Sequence, residues 1–420
     1  MQDVLDERLH HFLRAEIRKL PINQQMQLKN LKMCGTTVMR GQIGVQPAVF
    51  LLRNNRNEAK FFGQNTCKNP WACPHCASVR MAKYGKEVGA AIDALWETHA
   101  AFMVTFTIPH LRYQSCREVT DILYLTWHDF FANAFADRGR AHTIFNKFIT
   151  QHEIKHYVRC AEYTYGKNGW HPHFHVLFFT PLKYANDEIL QWQNELNQRW
   201  LTCAKRVAEK YWQSHNMYTE GQSLKQRLDM LFVWSGDKNP ALKISTTQDN
   251  HFLRANSSDY ICGWGSDKEL TGNRQKIASN PEHLTPYQIL SAAADGDKDM
   301  RDLYIEFALQ VTRKPVHHRV NFSKTGLKAI IQRYLNSVGY KEFMKKKQAE
   351  WELVCWFTQQ QWLELSIKDT HAPVFSNILY LAAINKKDLL IDYLASLDIE
   401  LVKSAHLHGQ HVVNIFNNVA

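Results

Sequence analysis

Two histidines separated by one apolar residue, His173 and His175, are the residues of this chain best placed to do chemistry. They belong to residues 171–177, His-Pro-His-Phe-His-Val-Leu, whose composition predicts a β-strand. Alternate side chains of a strand point to the same face, so both imidazoles project together. Imidazole is a common ligand of divalent metals, and the pair predicts part of a metal site. His171 shares this face, but Pro172 marks the beginning of the strand, and we expect His171 to lie beside the site.

A carboxylate for the same site comes from the preceding segment. Residues 157–164 are rich in β-branched and aromatic side chains and predict another strand, and Gly-Lys-Asn-Gly at 166–169 is a turn signal. The two strands then form a hairpin in which Glu162 is able to lie across from the histidines, although the sequence leaves the register open. Two histidines and one glutamate with open coordination positions suit Mn²⁺ or Mg²⁺ acting on a phosphate, with Zn²⁺ as a competitor.

Three cysteines form a second group of possible metal ligands. Cys67, Cys73 and Cys76 have the spacing C-x₅-C-x₂-C, and the Cys-Pro-x-Cys turn is typical of a zinc knuckle. A closed tetrahedral site needs a fourth ligand, and such a site is structural because no coordination position stays open. The remaining cysteines after residue 100 are scattered, and we expect them to be buried as small apolar residues: Cys116, Cys160, Cys203, Cys262 and Cys355.

The histidine segment resembles a known motif. Residues 162–178, EYTYGKNGWHPHFHVLF, are similar to the metal-binding motif of the rolling-circle replication initiators of bacterial plasmids, which are HUH endonucleases. In that family a strand ending in Thr-x-Thr comes first, and residues 102–108 match it; a helix with a nucleophilic tyrosine comes later, and residues 258–272 resemble it. The end of this last motif resembles the proteobacterial branch. The resemblance extends over roughly residues 30–335, in the order of the family.

The resemblance implies that Tyr260 is the nucleophile. The family usually has a lysine three residues after the tyrosine, where this chain has Gly263. Lys268 is a possible substitute, because Tyr260, Trp264 and Lys268 would share one face of a helix. In the same branch a Cys-Gly pair precedes the zinc knuckle.

That pair implies Cys34 as the fourth zinc ligand. Cys34 is followed by glycine, as in the resembling branch. His75 is the alternative, although it lies between two ligands, where its reach is poor.

The reaction implied by the resemblance is transesterification by a site-specific endonuclease and ligase of single-stranded DNA. The Tyr260 phenolate attacks a phosphodiester, leaving a 5′-phosphotyrosine and a 3′-hydroxyl that primes replication. A tyrosine with an ordinary pKa of about 10 is a poor nucleophile, so a metal ion is expected to polarise the phosphate. The implied partners are single-stranded and origin DNA, a host helicase and a polymerase.

The composition agrees with a polyanionic partner. The chain has 420 residues, 45% of them hydrophobic, and a formal net charge of +11, which does not distinguish DNA from RNA. We expect Trp170 and Trp264 near the motifs to stack on unpaired bases. No apolar run approaches the ~18 residues of a membrane span. Nine cysteines without a signal peptide predict a reducing, cytoplasmic location.

The order of predicted elements gives an α+β fold. The predicted order is strand, helix, hairpin, helix, strand and helix. This order suits an antiparallel sheet with helices on one face, and the resemblance implies the ferredoxin-like, palm-type form of that sheet. We predict an N-terminal helix and zinc-binding module over residues 1–98, an endonuclease domain over 99–280 and a helical C-terminal region over 281–420. Within that last region, residues 340–365 are predicted to form one helix.

Two other interpretations stay open at the level of sequence. One is a single-tyrosine transposase or relaxase, although large relaxases usually place the tyrosine before the histidines. The other is a zinc-containing DNA-binding protein with a degenerate active site, for which Gly263 is the main argument.

Overall fold

The computed structural model describes residues 2–39, 47–95, 97–131, 144–215, 241–245, 283–313, 319–320, 326–337 and 351–400. The chain forms two compact units, each built from separate stretches of sequence. The cysteine unit takes residues 1–80, 290–313 and 336–420, and the histidine unit takes residues 81–289 and 314–335. The three-domain division drawn from the sequence stays a prediction.

The described part of the chain contains both helices and strands. The helices are α1 (Gln2–Lys19), α2 (Ile22–Gln27), α3 (Lys29–Lys32), α4 (Pro74–Leu95), α5 (Cys116–Phe131), α6 (Ile144–Gln151), α7 (Asn186–Leu190), α8 (Gln193–Ser214), α9 (Pro286–Ala294), α10 (Lys298–Arg313), α11 (Leu327–Ser337), α12 (Gln359–Lys368), α13 (Val374–Ala383) and α14 (Lys387–Ser396). The strands are β1 (Ala48–Asn54), β2 (Ala59–Phe62), β3 (His99–Phe106), β4 (His156–Gly166), β5 (Gly169–Pro181), β6 (Leu242–Ser245), β7 (Arg319–Val320) and β8 (Trp351–Thr358).

The histidine unit is built on a five-stranded sheet in the order β6-β3-β5-β4-β7, and every pairing in it is antiparallel. Its central hairpin turns at Lys167 and Asn168, because Gly166 pairs directly with Gly169. Gly169 has a φ of 84°, and a Cβ there would lie 2.8 Å from the carbonyl oxygen of Arg112. Only glycine combines this conformation with so close an approach.

Helices cover one face of this sheet. Phe174 and Phe178 of β5 are fully buried, and their rings contact those of Trp127 and Phe131 on α5. Phe106 of β3 contacts Trp200 of α8 on the same face. Replacing Phe174 or Phe178 by alanine would cost about 3–5 kcal/mol of stability, so this aromatic core holds β5 in place. The histidines of β5 alternate with these phenylalanines and therefore lie on the opposite face.

The cysteine unit contains the second antiparallel sheet, of order β2-β1-β8. Val49, Leu51 and Phe357 pack on Trp362 of α12 and Phe375 of α13 to form its core. The fold is therefore α+β with two antiparallel sheets. The prediction of one helix over residues 340–365 was wrong, because 351–358 form strand β8. Apolar residues of β8 pack on both faces of the sheet, which removes the alternation that marks a strand.

No helix within the described stretches is long and apolar enough to cross a membrane.

Candidate metal centres

The register of the central hairpin brings three predicted ligands to one face of the sheet. Glu162 of β4 pairs directly with His173 of β5, and Thr105 of β3 pairs with His175. Directly opposed residues of an antiparallel pair project to the same side. The side chains of Glu162, His173 and His175 therefore converge, and the sequence had predicted these three residues without the register.

The three ligand atoms form a nearly equilateral triangle, the histidine centre. The Glu162 Oε2 atom lies 3.0 Å from His173 Nε2 and 2.9 Å from His175 Nε2, and the two nitrogens are 3.0 Å apart. In octahedral coordination at about 2.1 Å, neighbouring ligands are about 3.0 Å apart, whereas tetrahedral coordination at about 2.0 Å separates them by about 3.3 Å. The triangle is close to the size of one face of an octahedron, and its three residues could hold a metal ion.

Burial and hydrogen bonding define the charge of this centre. The exposed fractions are 4% for Glu162, 9% for His173 and 7% for His175. Burial alone would raise the pKa of Glu162. The hydrogen bonds and positive charge of the two histidines lower it by more, so the pKa of Glu162 lies below its usual value. The carboxylate is therefore ionised at neutral pH and can balance part of the charge of a bound cation.

Neighbouring oxygen atoms set the orientation of both rings. The His175 Nδ1 atom lies 3.1 Å from Thr105 Oγ1, and His173 Nδ1 lies 3.4 Å from the carbonyl oxygen of His171. When Nδ1–H donates to these oxygens, Nε2 keeps its lone pair for a metal. This role of Thr105 was not predicted from the sequence, although the position of Thr105 on the neighbouring strand is a signal for it.

Four cysteines form a second centre, the cysteine cluster, in the cysteine unit. Sγ–Sγ distances of 3.6 Å join Cys34 to Cys76, Cys67 to Cys76 and Cys34 to Cys73. A tetrahedral zinc site with Zn–S bonds of about 2.3 Å requires sulfur atoms about 3.8 Å apart, whereas a disulfide requires about 2 Å. All four cysteines are free, and the cluster fits a metal ion.

Backbone N–H groups of the knuckle support the sulfur atoms. The N–H of Cys67 donates to Cys34 Sγ at 3.3 Å, and the N–H of Asn69 donates to Cys67 Sγ at 3.4 Å. Burial raises the pKa of Cys73, whereas hydrogen bonds from neighbouring thiols lower the pKa of Cys76. A bound cation would displace the thiol protons and neutralise the resulting thiolates.

His75 is not part of the cysteine cluster. Its Nε2 atom lies 2.8 Å from Gln64 Nε2 and its Nδ1 atom 3.0 Å from Glu7 Oε2. Glu7, His10 and His75 could themselves hold a metal ion, but Arg14 donates to Glu7 at 3.3 Å and already places a cation there. Cys34 therefore completes the four-sulfur set.

Two of the predicted site residues lie outside the described residues. Tyr260 and Lys268 both fall within 246–282, as do Gly263 and Trp264. The expectation that Trp170 stacks on bases was wrong, because this side chain is 2% exposed and packs against Tyr165 with ring centroids 5.2 Å apart.

Comparison with protein-family models, with curated proteins and with solved structures gives no match for this chain. The chemistry of the two centres is therefore inferred from their own geometry.

Proposed function

We propose that this chain is a metal-dependent DNA nicking and joining enzyme that initiates rolling-circle replication of a plasmid. The observation that carries the proposal is the triangle formed by the ligand atoms of Glu162, His173 and His175, on the sheet face opposite helices α5 and α8. A centre with three protein ligands leaves positions for substrate oxygens, as metal-assisted phosphoryl chemistry requires. The order of motifs in the sequence supplies the remaining element, a downstream tyrosine.

The ion proposed for the histidine centre is Mn²⁺, with Mg²⁺ as the alternative. An octahedral edge of about 3.0 Å favours these ions over tetrahedral Zn²⁺. Two imidazole ligands favour Mn²⁺ over Mg²⁺, which prefers oxygen. Zn²⁺ is the structural ion proposed for the cysteine cluster, where four thiolates leave no open position.

In the proposed reaction, the Tyr260 phenolate attacks phosphorus of a single-stranded DNA phosphodiester. The O–P bond to tyrosine forms as the bond to the 3′-oxygen breaks, and that oxygen takes a proton to become a 3′-hydroxyl. Glu162, His173 and His175 would hold an ion that, when bound, would neutralise charge developing on the phosphate. Glu162 stays ionised throughout, because two imidazoles hold its oxygen. No bond is hydrolysed, so the reverse attack by the 3′-hydroxyl rejoins the DNA.

The chain segments on either side of residues 246–282 support a role for Tyr260. Strand β6, which ends at Ser245, pairs with β3. Leu284 exchanges two backbone hydrogen bonds with Tyr165 at the end of β4, at 2.7 and 2.9 Å. Both ends of the segment that carries the tyrosine are thus attached to the sheet that carries the histidine centre.

The remaining parts of the proposal come from the sequence resemblance. The five-stranded sheet is proposed to be of the ferredoxin-like, palm type, with the cysteine cluster as its accompanying zinc module. The partners would be origin DNA, a host helicase and a polymerase. A DNA-binding protein with a degenerate site is the second candidate, and the glycine at position 263 favours it.

The test is formation of a covalent protein–DNA adduct. The protein is incubated with Mn²⁺ and a set of single-stranded oligonucleotides that tile the DNA flanking its gene, and products are resolved on a denaturing gel. We expect an adduct with one oligonucleotide, and no adduct for Tyr260→Phe. An adduct that persists in Tyr260→Phe would remove this tyrosine from the role. Tight, salt-dependent binding without nicking by the wild-type protein would favour the second candidate.

A further inference from the structure

A pair of histidines adjoins the histidine centre without belonging to it. The His171 Nδ1 atom lies 2.8 Å from His110 Nε2, and the two ring centroids are 5.0 Å apart. His171 is on the same face of β5 as the ligands, and its ring centroid is 5.2 Å from that of His173. His110 comes from the segment that follows β3. The position of His171 beside the site was predicted from the sequence, whereas its contact with His110 was not.

The position of His171 differs from that of the two ligands. His173 and His175 are buried, whereas His171 is partly exposed and pairs with Thr164 near the turn of the hairpin. His171 thus lies at the open end of the row of three histidines. A group that approaches the histidine centre from solvent on this side would meet His171 next to the proposed ion.

The contact with His110 determines how His171 can interact. A 2.8 Å N···N distance between two imidazoles requires one nitrogen to donate and the other to accept. Burial lowers the pKa of His110 to about 4, so His110 is neutral at pH 7. An anion in front of His171 selects the arrangement in which His110 Nε2–H donates to His171 Nδ1. The proton on His171 is then on Nε2, from which it can be donated to the anion.

A third histidine adds to this group. His283 directly precedes Leu284 in the chain. The hydrogen bonds between Leu284 and Tyr165 hold this part of the chain next to the hairpin. Among the described residues, His171 thus neighbours the imidazoles of His110 and His173, which can donate to an anion, while the Glu162 oxygen is already held by the ligand histidines.

We propose that His171 is a phosphate-contacting catalytic residue, which donates Nε2–H to a non-bridging oxygen of the scissile phosphate, and that His110 is the residue that positions it. This inference deepens the proposed function and rests on it. The role is that of a preorganised donor aimed at developing negative charge, comparable to one donor of an oxyanion hole. The ligand class is a phosphodiester of single-stranded DNA.

The test compares the same substitution, histidine to phenylalanine, at His171 and at a histidine outside the site. His171→Phe removes the donor and keeps a planar ring, and His171→Gln restores an N–H at a similar reach. We expect His171→Phe to lower the rate of adduct formation about 100-fold, as loss of one such donor does, and His171→Gln to recover part of it. His215→Phe is the matched control. His215 is the exposed C-cap residue of α8, and this variant should react like the wild type.

His110 is tested by its effect through His171. His110→Phe leaves His171 Nδ1 without its donor, and His110→Gln provides one. We expect His110→Phe to slow the reaction about 10-fold, with recovery in His110→Gln. A merely structural role would give the same loss for both substitutions.

Two binding measurements separate this inference from the proposed function. Calorimetry with Mn²⁺ should give wild-type affinity for His171→Phe, and calorimetry with inorganic phosphate on the Mn²⁺-loaded protein should give about 10-fold weaker binding. Loss of Mn²⁺ binding in His171→Phe would make His171 a metal ligand and overturn the inference. Wild-type rates and phosphate affinity in His171→Phe would overturn it while leaving the nicking role intact. Absence of any adduct from the wild-type protein would overturn both.

Discussion

At the scale of single residues, one carboxylate oxygen organises the histidine centre. Glu162 Oε2 is within 3.0 Å of both ligand nitrogens, although those nitrogens are also 3.0 Å from each other. Three ligand atoms in such close contact must share protons when no cation is bound. A divalent cation replaces these protons and lets each atom direct a lone pair at the same point. The centre is therefore preorganised for a cation.

Glu162→Gln tests this arrangement. The amide keeps the size of the side chain but removes the charge and presents an N–H₂ group to two nitrogens. Changing an outer-shell partner of a metal ligand typically costs 10–100-fold in affinity, so we expect loss of a ligand to weaken Mn²⁺ binding by at least about 100-fold. Isothermal titration calorimetry with Mn²⁺ measures this affinity. Glu195→Gln, exposed on α8, is the control, and equal affinity for both variants would show that Glu162 is not a ligand.

The sequence was sufficient to predict the types and the common face of these ligands. Alternation along β5 places His173 and His175 together wherever the strand lies in the sheet. His110 could not be predicted, because it follows a different strand and its contact with His171 depends on the path of the chain after β3. Trp170 was mispredicted because a tryptophan beside a site is as suited to a core as to base stacking.

At the scale of elements, the turn of the β4–β5 hairpin sets the register of the centre. Gly166 pairs with Gly169 across a two-residue loop, and counting back along both strands pairs Glu162 with His173. A slip by one residue would move Glu162 to the helix-covered face and leave the histidines without their carboxylate. The register would follow from the sequence if the loop length were known, but Gly-Lys-Asn-Gly is also compatible with a longer loop.

Gly169→Ala tests the importance of that turn. Alanine at φ 84° costs about 1–2 kcal/mol, and its Cβ would also lie 2.8 Å from the Arg112 carbonyl oxygen. Gly296→Ala is the matched control, since Gly296 has a φ of 109° and no atom within 4 Å of the added Cβ. Urea unfolding should show a larger loss of stability for Gly169→Ala, accompanied by weaker Mn²⁺ binding. Equal losses of stability in the two variants would mean that the backbone near Arg112 moves away from the added Cβ without destabilising the fold.

Other elements show where local pattern is sufficient and where it fails. The sequence pattern predicts a hairpin from residues 47–52 and 59–62 and a strand over residues 242–246, and both are confirmed by β1, β2 and β6. The apolar spacing of residues 186–211 predicts a single helix with Asn186 as its N-cap. The structure has two helices there, α7 and α8, and Asn186 is the first residue of α7, with Ala185 as the N-cap residue. Strand β8 was missed because its partner β1 is about 300 residues away along the chain, and only that pairing distinguishes an apolar strand from a buried helix.

At the scale of the whole molecule, the two ends of the chain build the cysteine unit together. Arg14 of α1 donates to the carbonyl oxygen of Cys34 at 3.0 Å and to Asp369 at 2.5 Å. Trp362 donates to the carbonyl oxygen of Gly35 at 3.0 Å. The loop that carries Cys34 is thus held by residues more than 300 positions later. Such contacts have no local signature in the sequence and could not be predicted from it.

Cys73→Ser tests the proposed structural role of zinc in this unit. Serine cannot replace a thiolate ligand, and structural zinc contributes directly to folding. We expect zinc content to fall by about one equivalent per chain and the thermal unfolding temperature to decrease. Cys355→Ser is the control, since Cys355 is a buried cysteine of the same unit outside the cluster. Retention of zinc in Cys73→Ser would contradict the assignment.

Asp369→Asn tests how the N-terminal helix is joined to the C-terminal helices. Asp369 is 2% exposed and accepts a hydrogen bond from Arg14, whose guanidinium would keep the Glu7 carboxylate at 3.3 Å as its ion-pair partner. Breaking a buried ion pair from one side costs about 3–5 kcal/mol; because Glu7 still balances part of the charge, we expect the free energy of unfolding to fall by about 3 kcal/mol. Asp398→Asn removes a carboxylate that is 93% exposed and 3.7 Å from Lys368, for which the expected cost is about 0–1 kcal/mol. Chemical denaturation of both variants measures the difference. Because Arg14 also holds the carbonyl of Cys34, the Asp369 variant should release zinc to a chelator faster than the Asp398 variant, and equal release rates would show that this ion pair does not support the cysteine cluster.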